Sequence, residues 1–175
     1  SSSSAASDVY KRQIHYRANK KNCRTIEKKD IFLCDSGGQY KYGTTDVTRT
    51  ICFSKPKRSI KKIFTKVLKG HIAVAQTNLK THYNGKMIDV RARKFLKKDK
   101  LDYEHGTGHG IGSFLSVHEG PQAISKRNEE ELKPGMIVSN EPGYYLKNSH
   151  GIRIENLLLI KPKERDECVC IWRIE

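Results

Sequence analysis

The sequence predicts an α+β fold built as two related halves, each carrying an antiparallel hairpin, with helices packed outside. Two hairpin-like segments, Ile31 to Phe53 and Met136 to Ile160, share one plan. An apolar strand ends in a carboxylate, a glycine-containing turn with a tyrosine follows, and the return strand brings a second carboxylate. Between them lie two stretches whose apolar residues recur at helical spacing. With 175 residues, 36% hydrophobic and 30% charged, the chain has material for one domain with a real core.

Taken in order, Ser1 to Gln13 is serine-rich and then polar, without apolar periodicity or the hydrophobic stretch of a secretory signal. Residues 1–13 are therefore expected as a disordered leader outside the fold, and 14–175 as the domain itself. Ile14-His15-Tyr16 begins the apolar pattern, and a polar connection from Ala18 to Asp30 leads to the first hairpin. Ile31-Phe32-Leu33-Cys34 runs into Asp35, and the return strand passes Asp46 on its way to Ile51 and Phe53. A turn centred at Tyr40-Lys41 would set Asp35 opposite Asp46, with Cα atoms roughly 4.5–5.5 Å apart. Carboxylates so placed repel unless a cation or a proton sits between them.

From Arg58 to about Leu79, Ile60, Ile63, Phe64, Val67, Leu68, Ile72 and Ala75 mark one helical face. A second helix, about Gly85 to Lys98, puts Ile88, Ala92, Phe95 and Leu96 on one side, with lysines near its C-terminal end that suit the helix dipole. Neither helix carries evident chemistry. His105-Gly-Thr-Gly-His-Gly-Ile-Gly112, followed by Val117-His118-Glu119, concentrates histidine and glycine in a way that suits backbone packed against a ligand or another backbone. It fits neither G-x-G-x-x-G nor the H-E-x-x-H helix. Gly120 to Lys133 reads as a polar loop with some helical turn. Met136 to Tyr145 and Gly151 to Ile160 form the second hairpin, with Glu141 and Glu155 as its carboxylates, and a short strand, Val169 to Ile174, closes the chain.

The net charge of +15 comes from dispersed lysines with no RNP, zinc-finger or basic-zipper pattern, so it reads as a solvated surface rather than a nucleic-acid interface. No apolar run approaches the roughly 20 residues of a membrane span. Five cysteines, without a CxxC pair, fit a reducing cytoplasmic setting better than a disulfide framework or a structural zinc site.

Asp35, Asp46, Glu141 and Glu155 are thus expected to converge with His109. Hard oxygen donors with one imidazole suit a pair of divalent ions such as Mn, Co or Zn, and such a pair activates water toward a carbonyl carbon.

Asp35-Ser-Gly-Gly-Gln-Tyr40, Gly43-Thr-Thr-Asp-Val-Thr-Arg-Thr50, His105 to Gly112, Ser139-Asn-Glu-Pro-Gly-Tyr-Tyr145 and Gly151-Ile-Arg-Ile-Glu155 together resemble aminopeptidase P, the Xaa-Pro aminopeptidases of the M24 metallopeptidases, over roughly Ile14 to Ile160. The resemblance implies the pita-bread fold of creatinase and methionine aminopeptidase, here a partial catalytic domain incomplete at both ends. It implies hydrolysis of the bond between an N-terminal residue and a following proline, with two divalent ions, manganese foremost. Asp35 would hold one ion and His109 and Glu141 the other, with Asp46 and Glu155 bridging. Glu141 would move the proton, His118 and His105 would act in catalysis and substrate binding, His15 would bind substrate, and Arg153 would orient the bridging Glu155 from behind. Peptides with proline in second position are the implied partners, and a homodimer is compatible with the family. Prolidase-type dipeptidases and non-enzymatic pita-bread modules for histones or RNA are the alternatives, the latter at odds with a complete ligand set.

Overall fold

A computed structural model describes residues 2–7, 21, 25–113, 116–147, 149–161 and 171–173. His15, Cys23, Cys168 and Cys170 lie outside the described residues. The elements are β1 (Ser2–Ser7), β2 (Ile31–Tyr40), β3 (Gly43–Cys52), α1 (Arg58–Ala75), α2 (Gly85–Lys97), β4 (Gly108–Ile111), β5 (His118–Ile124), β6 (Ile137–Asn140), β7 (Gly143–Leu146), β8 (His150–Arg153), β9 (Asn156–Ile160) and β10 (Ile171–Arg173). The strands form a three-stranded sheet β1-β2-β3, a five-stranded sheet β10-β9-β6-β4-β5 and the ribbon β7-β8, all antiparallel.

Both helices fall where their apolar spacing put them. Asn84 starts α2 by accepting a hydrogen bond from the backbone N–H of Met87 at 3.0 Å, which satisfies one of the free donors of the first turn. The helices pack closely because Gly70 of α1 has no side chain: a Cβ there would meet the carbonyl oxygen of Ala92 at 2.4 Å. One cluster of buried side chains includes Val74, Ile88, Ala92, Ile124, Val138, Leu158 and Ile160, and so joins both helices to the five-stranded sheet. A second, with Val67, Leu96, Tyr103, Ile152 and Ile154, supports the β7-β8 ribbon.

Two segments depart from expectation. Ser2–Ser7, read as part of a disordered leader, lie as β1 along β2, with Ala5 facing Asp35. Backbone pairing requires no apolar alternation, so composition gave no sign of it. The glycine-rich stretch after His105, expected as backbone packed against a ligand or another backbone, forms the strand β4, and Gly120 to Ile124, expected as polar loop, belong to β5. The glycines of β4 let neighbouring chains close in, since a Cβ at Gly108 would lie 1.9 Å from the Ser139 carbonyl oxygen, and one at Gly110 would lie 2.0 Å from that of Glu119. Glycine here is a spacing requirement of a buried strand rather than a turn signal.

Candidate metal centre

Asp35 lies on β2 and Asp46 on β3, but they are not directly paired. Tyr40 faces Gly43, so the turn residues are Lys41 and Tyr42, one position later than expected. That shift moves the register by two: Asp35 faces Thr48 and Asp46 faces Gly37. A shift of two preserves the face, so both acids still share one side as diagonal neighbours.

In the second hairpin the two ladder sections hold one register. Asn140 faces Asn156 in the first and Gly143 faces Arg153 in the second. The next residue inward on each strand places Glu141 opposite Glu155. The ladder is interrupted there because Pro142 has no N–H and the neighbouring amides bond elsewhere. The Glu141 N–H donates to the Thr107 carbonyl at 2.7 Å, and the Glu155 N–H to the Thr48 carbonyl at 3.1 Å. These bonds tie the second hairpin to β3 and to the segment before β4, so the four carboxylates converge.

β4 brings His109. Its backbone N–H donates to the Ser139 hydroxyl at 2.9 Å, which in turn donates to Glu141 Oε1 at 3.0 Å. Its Nδ1 lies 2.9 Å from the Gly110 carbonyl oxygen, a group that only accepts, so Nδ1 carries the proton of the neutral ring and Nε2 keeps a free lone pair. Nε2 points at Asp46 Oδ2 at 3.3 Å and Glu141 Oε1 at 3.4 Å. His118, exposed on β5, stacks on His109 with ring centroids 3.7 Å apart.

Arg153 sits behind the acids. Its guanidinium donates to Asp35 Oδ2 at 2.5 Å, to the Tyr145 hydroxyl at 2.8 Å and to the Thr48 hydroxyl at 3.2 Å, and its Nε lies 3.8 Å from Glu141 Oε2. The expected contact with Glu155 is indirect: Thr48 stands between them, its hydroxyl donating to Glu155 Oε2. The reason is local, since β8 ends at Arg153 and the two residues no longer alternate along one strand. His105 Nε2 lies 2.8 Å from the Tyr145 hydroxyl, while its Nδ1 faces the Gly106 carbonyl oxygen. Its ring therefore accepts from Tyr145, and Tyr145 and Arg153 stand between it and Asp35.

The electrostatics are those of a site short of positive charge. Burial, reinforced by the charges of Glu141 and Asp46, pushes Glu155 up to about 9. Burial also pushes Glu141 up to about 7, against the pull of His109 and Arg153. Burial disfavours a charged His109, but Asp46 and Glu141 outweigh it and raise its pKa. His105 is pushed down to about 4, chiefly by burial, and stays neutral. Carboxylates held protonated at neutral pH become ordinary anions once a cation replaces the proton.

The donors fit divalent ions. Asp35, Asp46 and Glu155 offer one set of ligand atoms within 4.8 Å of one another, and His109, Glu141 and Glu155 a second. A third set, Asp46, His109 and His118, adds a residue not expected as a ligand. Glu155 belongs to both of the first two sets, as a bridge must. Sequence reasoning missed Thr48 and Ser139 as hydrogen-bond partners of the acids, and Tyr145 as the hydroxyl that joins Arg153 to His105. Only their place one to four residues from a carboxylate or on the facing strand could have signalled them.

The family model described as metallopeptidase family M24 matches residues 2–162. A probable Xaa-Pro aminopeptidase P from Tuber melanosporum is 52% identical over 151 residues, covering 85% of this chain and 24% of the relative. One from Coprinopsis cinerea is 51% identical with the same coverage. This chain spans about a quarter of the length of these curated relatives. Among solved structures, the X-prolyl aminopeptidase from Caenorhabditis elegans, described as a cytosolic enzyme with a di-nuclear active site, superposes with a TM-score of 0.83 at 36% identity, over 99% of this chain and 29% of that one. The prolidase from Pyrococcus horikoshii gives 0.82 at 27% identity, over 98% and 46%. The α+β pita-bread class expected from the sequence is the fold these likenesses support.

Proposed function

The chain belongs to metallopeptidase family M24, and from that premise we propose that it is the metal-binding part of an Xaa-Pro aminopeptidase, which hydrolyses the bond between an N-terminal residue and a following proline. The observation that carries the proposal is the pair of overlapping donor sets that share Glu155. Asp35, Asp46 and Glu155 would hold one divalent ion; His109, Glu141 and Glu155 would hold the other, with Asp46 beside both. Manganese is the ion we assign, on the oxygen-rich donor set. Bound there, the ions supply Lewis acidity, making water more acidic and drawing charge from a carbonyl oxygen.

The remaining work falls to the chain. Glu141 would take a proton from the attacking water, with the Ser139 hydroxyl holding its Oε1 in direction. The nitrogen of an Xaa-Pro bond carries no hydrogen and must gain one to leave, and Glu141 returns the proton there. His118, exposed and stacked on His109, would donate to the substrate carbonyl as it becomes an oxyanion. His105, fixed by Tyr145, lines the approach, and His15 is assigned to substrate binding with it. Arg153 and Thr48 hold Asp35 and Glu155 in orientation before any ion arrives. Cys34 and Cys52 are free thiols, in keeping with the cytoplasmic setting we assign, and no described helix is long and apolar enough to cross a membrane.

The test is release of arginine from Arg-Pro-Pro by the full chain with added Mn²⁺, beside the dipeptide Arg-Pro. Cleavage of the tripeptide is expected. Cleavage of the dipeptide alone would make the protein a prolidase, and cleavage of neither by metal-loaded protein would end the peptidase reading.

A further inference from the structure

We infer that Asp89 and Arg93, a buried ion pair on α2, are positioning residues that set Glu141 and His105 from behind the catalytic centre. The inference rests on the peptidase reading for its kinetic consequences, but not for its geometry. Both residues are 1% exposed, although α2 is otherwise an amphipathic packing helix. Spaced i, i+4, they meet on one face, with Arg93 Nε donating to Asp89 Oδ2 at 2.7 Å.

The rest of the guanidinium is spent on the segment that leads into β4. Nη1 donates to Asp102 Oδ1 at 2.7 Å and to the Tyr103 carbonyl, and Nη2 donates to the His105 carbonyl at 2.8 Å. The guanidinium carbon also lies 3.9 Å from the centre of the Tyr103 ring. Three successive anchor points, at 102, 103 and 105, are thus fixed to one side chain. Asp89 grips the next point: its Oδ1 accepts from the Thr107 hydroxyl at 2.6 Å, and Thr107 also bonds the Tyr103 hydroxyl.

The segment so held makes two contacts with the site. The Thr107 carbonyl accepts the Glu141 N–H at 2.7 Å, the bond that draws Glu141 out of the ladder. The His105 ring meets Tyr145, and Tyr145 meets Arg153. Packing alone has no need of a buried charge here, because isosteric apolar residues in such a place are often neutral or stabilising. What an apolar pair cannot do is fix four backbone and side-chain groups in direction, and direction is what a proton-transfer carboxylate requires.

Asp89→Asn and Thr107→Val test this in the full chain. Each removes part of the grip while keeping shape, and Thr107→Val leaves its carbonyl in place. Three readouts are taken at saturating metal: kcat and KM on Arg-Pro-Pro, the visible absorption of the Co²⁺-loaded protein, and the melting temperature. The expected result is a fall in kcat of about 10- to 100-fold, the size usual for residues behind a metal ligand, with KM within twofold and a shifted cobalt band. A lowered melting temperature with wild-type kcat and an unchanged cobalt spectrum would make the pair merely structural and overturn the inference. Should Asp89→Asn fail to fold, Thr107→Val decides alone. If the wild-type protein binds cobalt but cleaves nothing, the peptidase reading fails separately, and the cobalt band still decides the positioning role.

Discussion

Glu141→Gln is expected to lower kcat on Arg-Pro-Pro by about 10³- to 10⁴-fold, at or beyond the top of what a positioned acid–base group usually contributes, because two functions fail together. The amide keeps the size of the carboxylate and a carbonyl oxygen that can still accept from the Ser139 hydroxyl. It cannot take a proton from water, and it removes one negative charge from the set formed with His109 and Glu155. Fold and substrate affinity should change little, since the backbone N–H that ties residue 141 to Thr107 is untouched. Single-turnover kinetics with saturating Mn²⁺ separates the two losses. A rate within tenfold of wild type would remove Glu141 from the proton path.

The second large effect concerns Arg153, whose side chain is 3% exposed and bonded to Asp35, Tyr145 and Thr48. Arg153→Met should destabilise the metal-free protein by about 1–3 kcal/mol, below the usual cost of leaving one member of a fully buried ion pair alone because Asp35 is 27% exposed. Asp35 is the member left behind. In the metal-loaded protein a cation beside Asp35 compensates part of that charge, so the loss should be clearly smaller. Denaturant unfolding with and without Mn²⁺ measures both. Equal losses in the two states would mean that no cation sits at Asp35.

The sequence made the acids legible and left their supports largely hidden. Asp35, Asp46, Glu141 and Glu155 could be found because each lies in a strand of one of two like hairpins, or at its end, and period-two alternation carries a face across a misjudged turn. The pairing of Asp35 with Asp46 was wrong by two residues while their common side was right, for that same reason. β4 and β5 were illegible as strands because their glycines and polar residues answer to backbone spacing, as at Gly108 and Gly110, and not to burial of side chains. β1 escaped for the related reason that edge pairing uses only the backbone. Asp89 and Arg93 carry no role in the sequence reading of this helix, yet they stand beside Ile88 and Ala92, on the apolar side. A charged pair at i, i+4 next to the buried stripe was the available signal. Thr48 and Ser139 gave only their nearness to a carboxylate, since a hydroxyl's use depends on partners that the fold brings to it.

The proposed hydrolysis requires that these donors hold two cations. In the metal-free protein Glu141 and Glu155 have pKa values raised above the ordinary 4.5. Groups of this kind favour the fold fully below the unfolded value and withdraw that support as pH rises through the folded one. The metal-free protein should therefore weaken between about pH 5 and pH 9, and cations should reverse the loss by displacing the protons. Counting bound Mn²⁺ after exhaustive dialysis at pH 7.5, with proton release followed in the same titration, tests this most directly. Two ions per chain with net proton release is the result predicted; one ion or none, or binding without proton release, would contradict it.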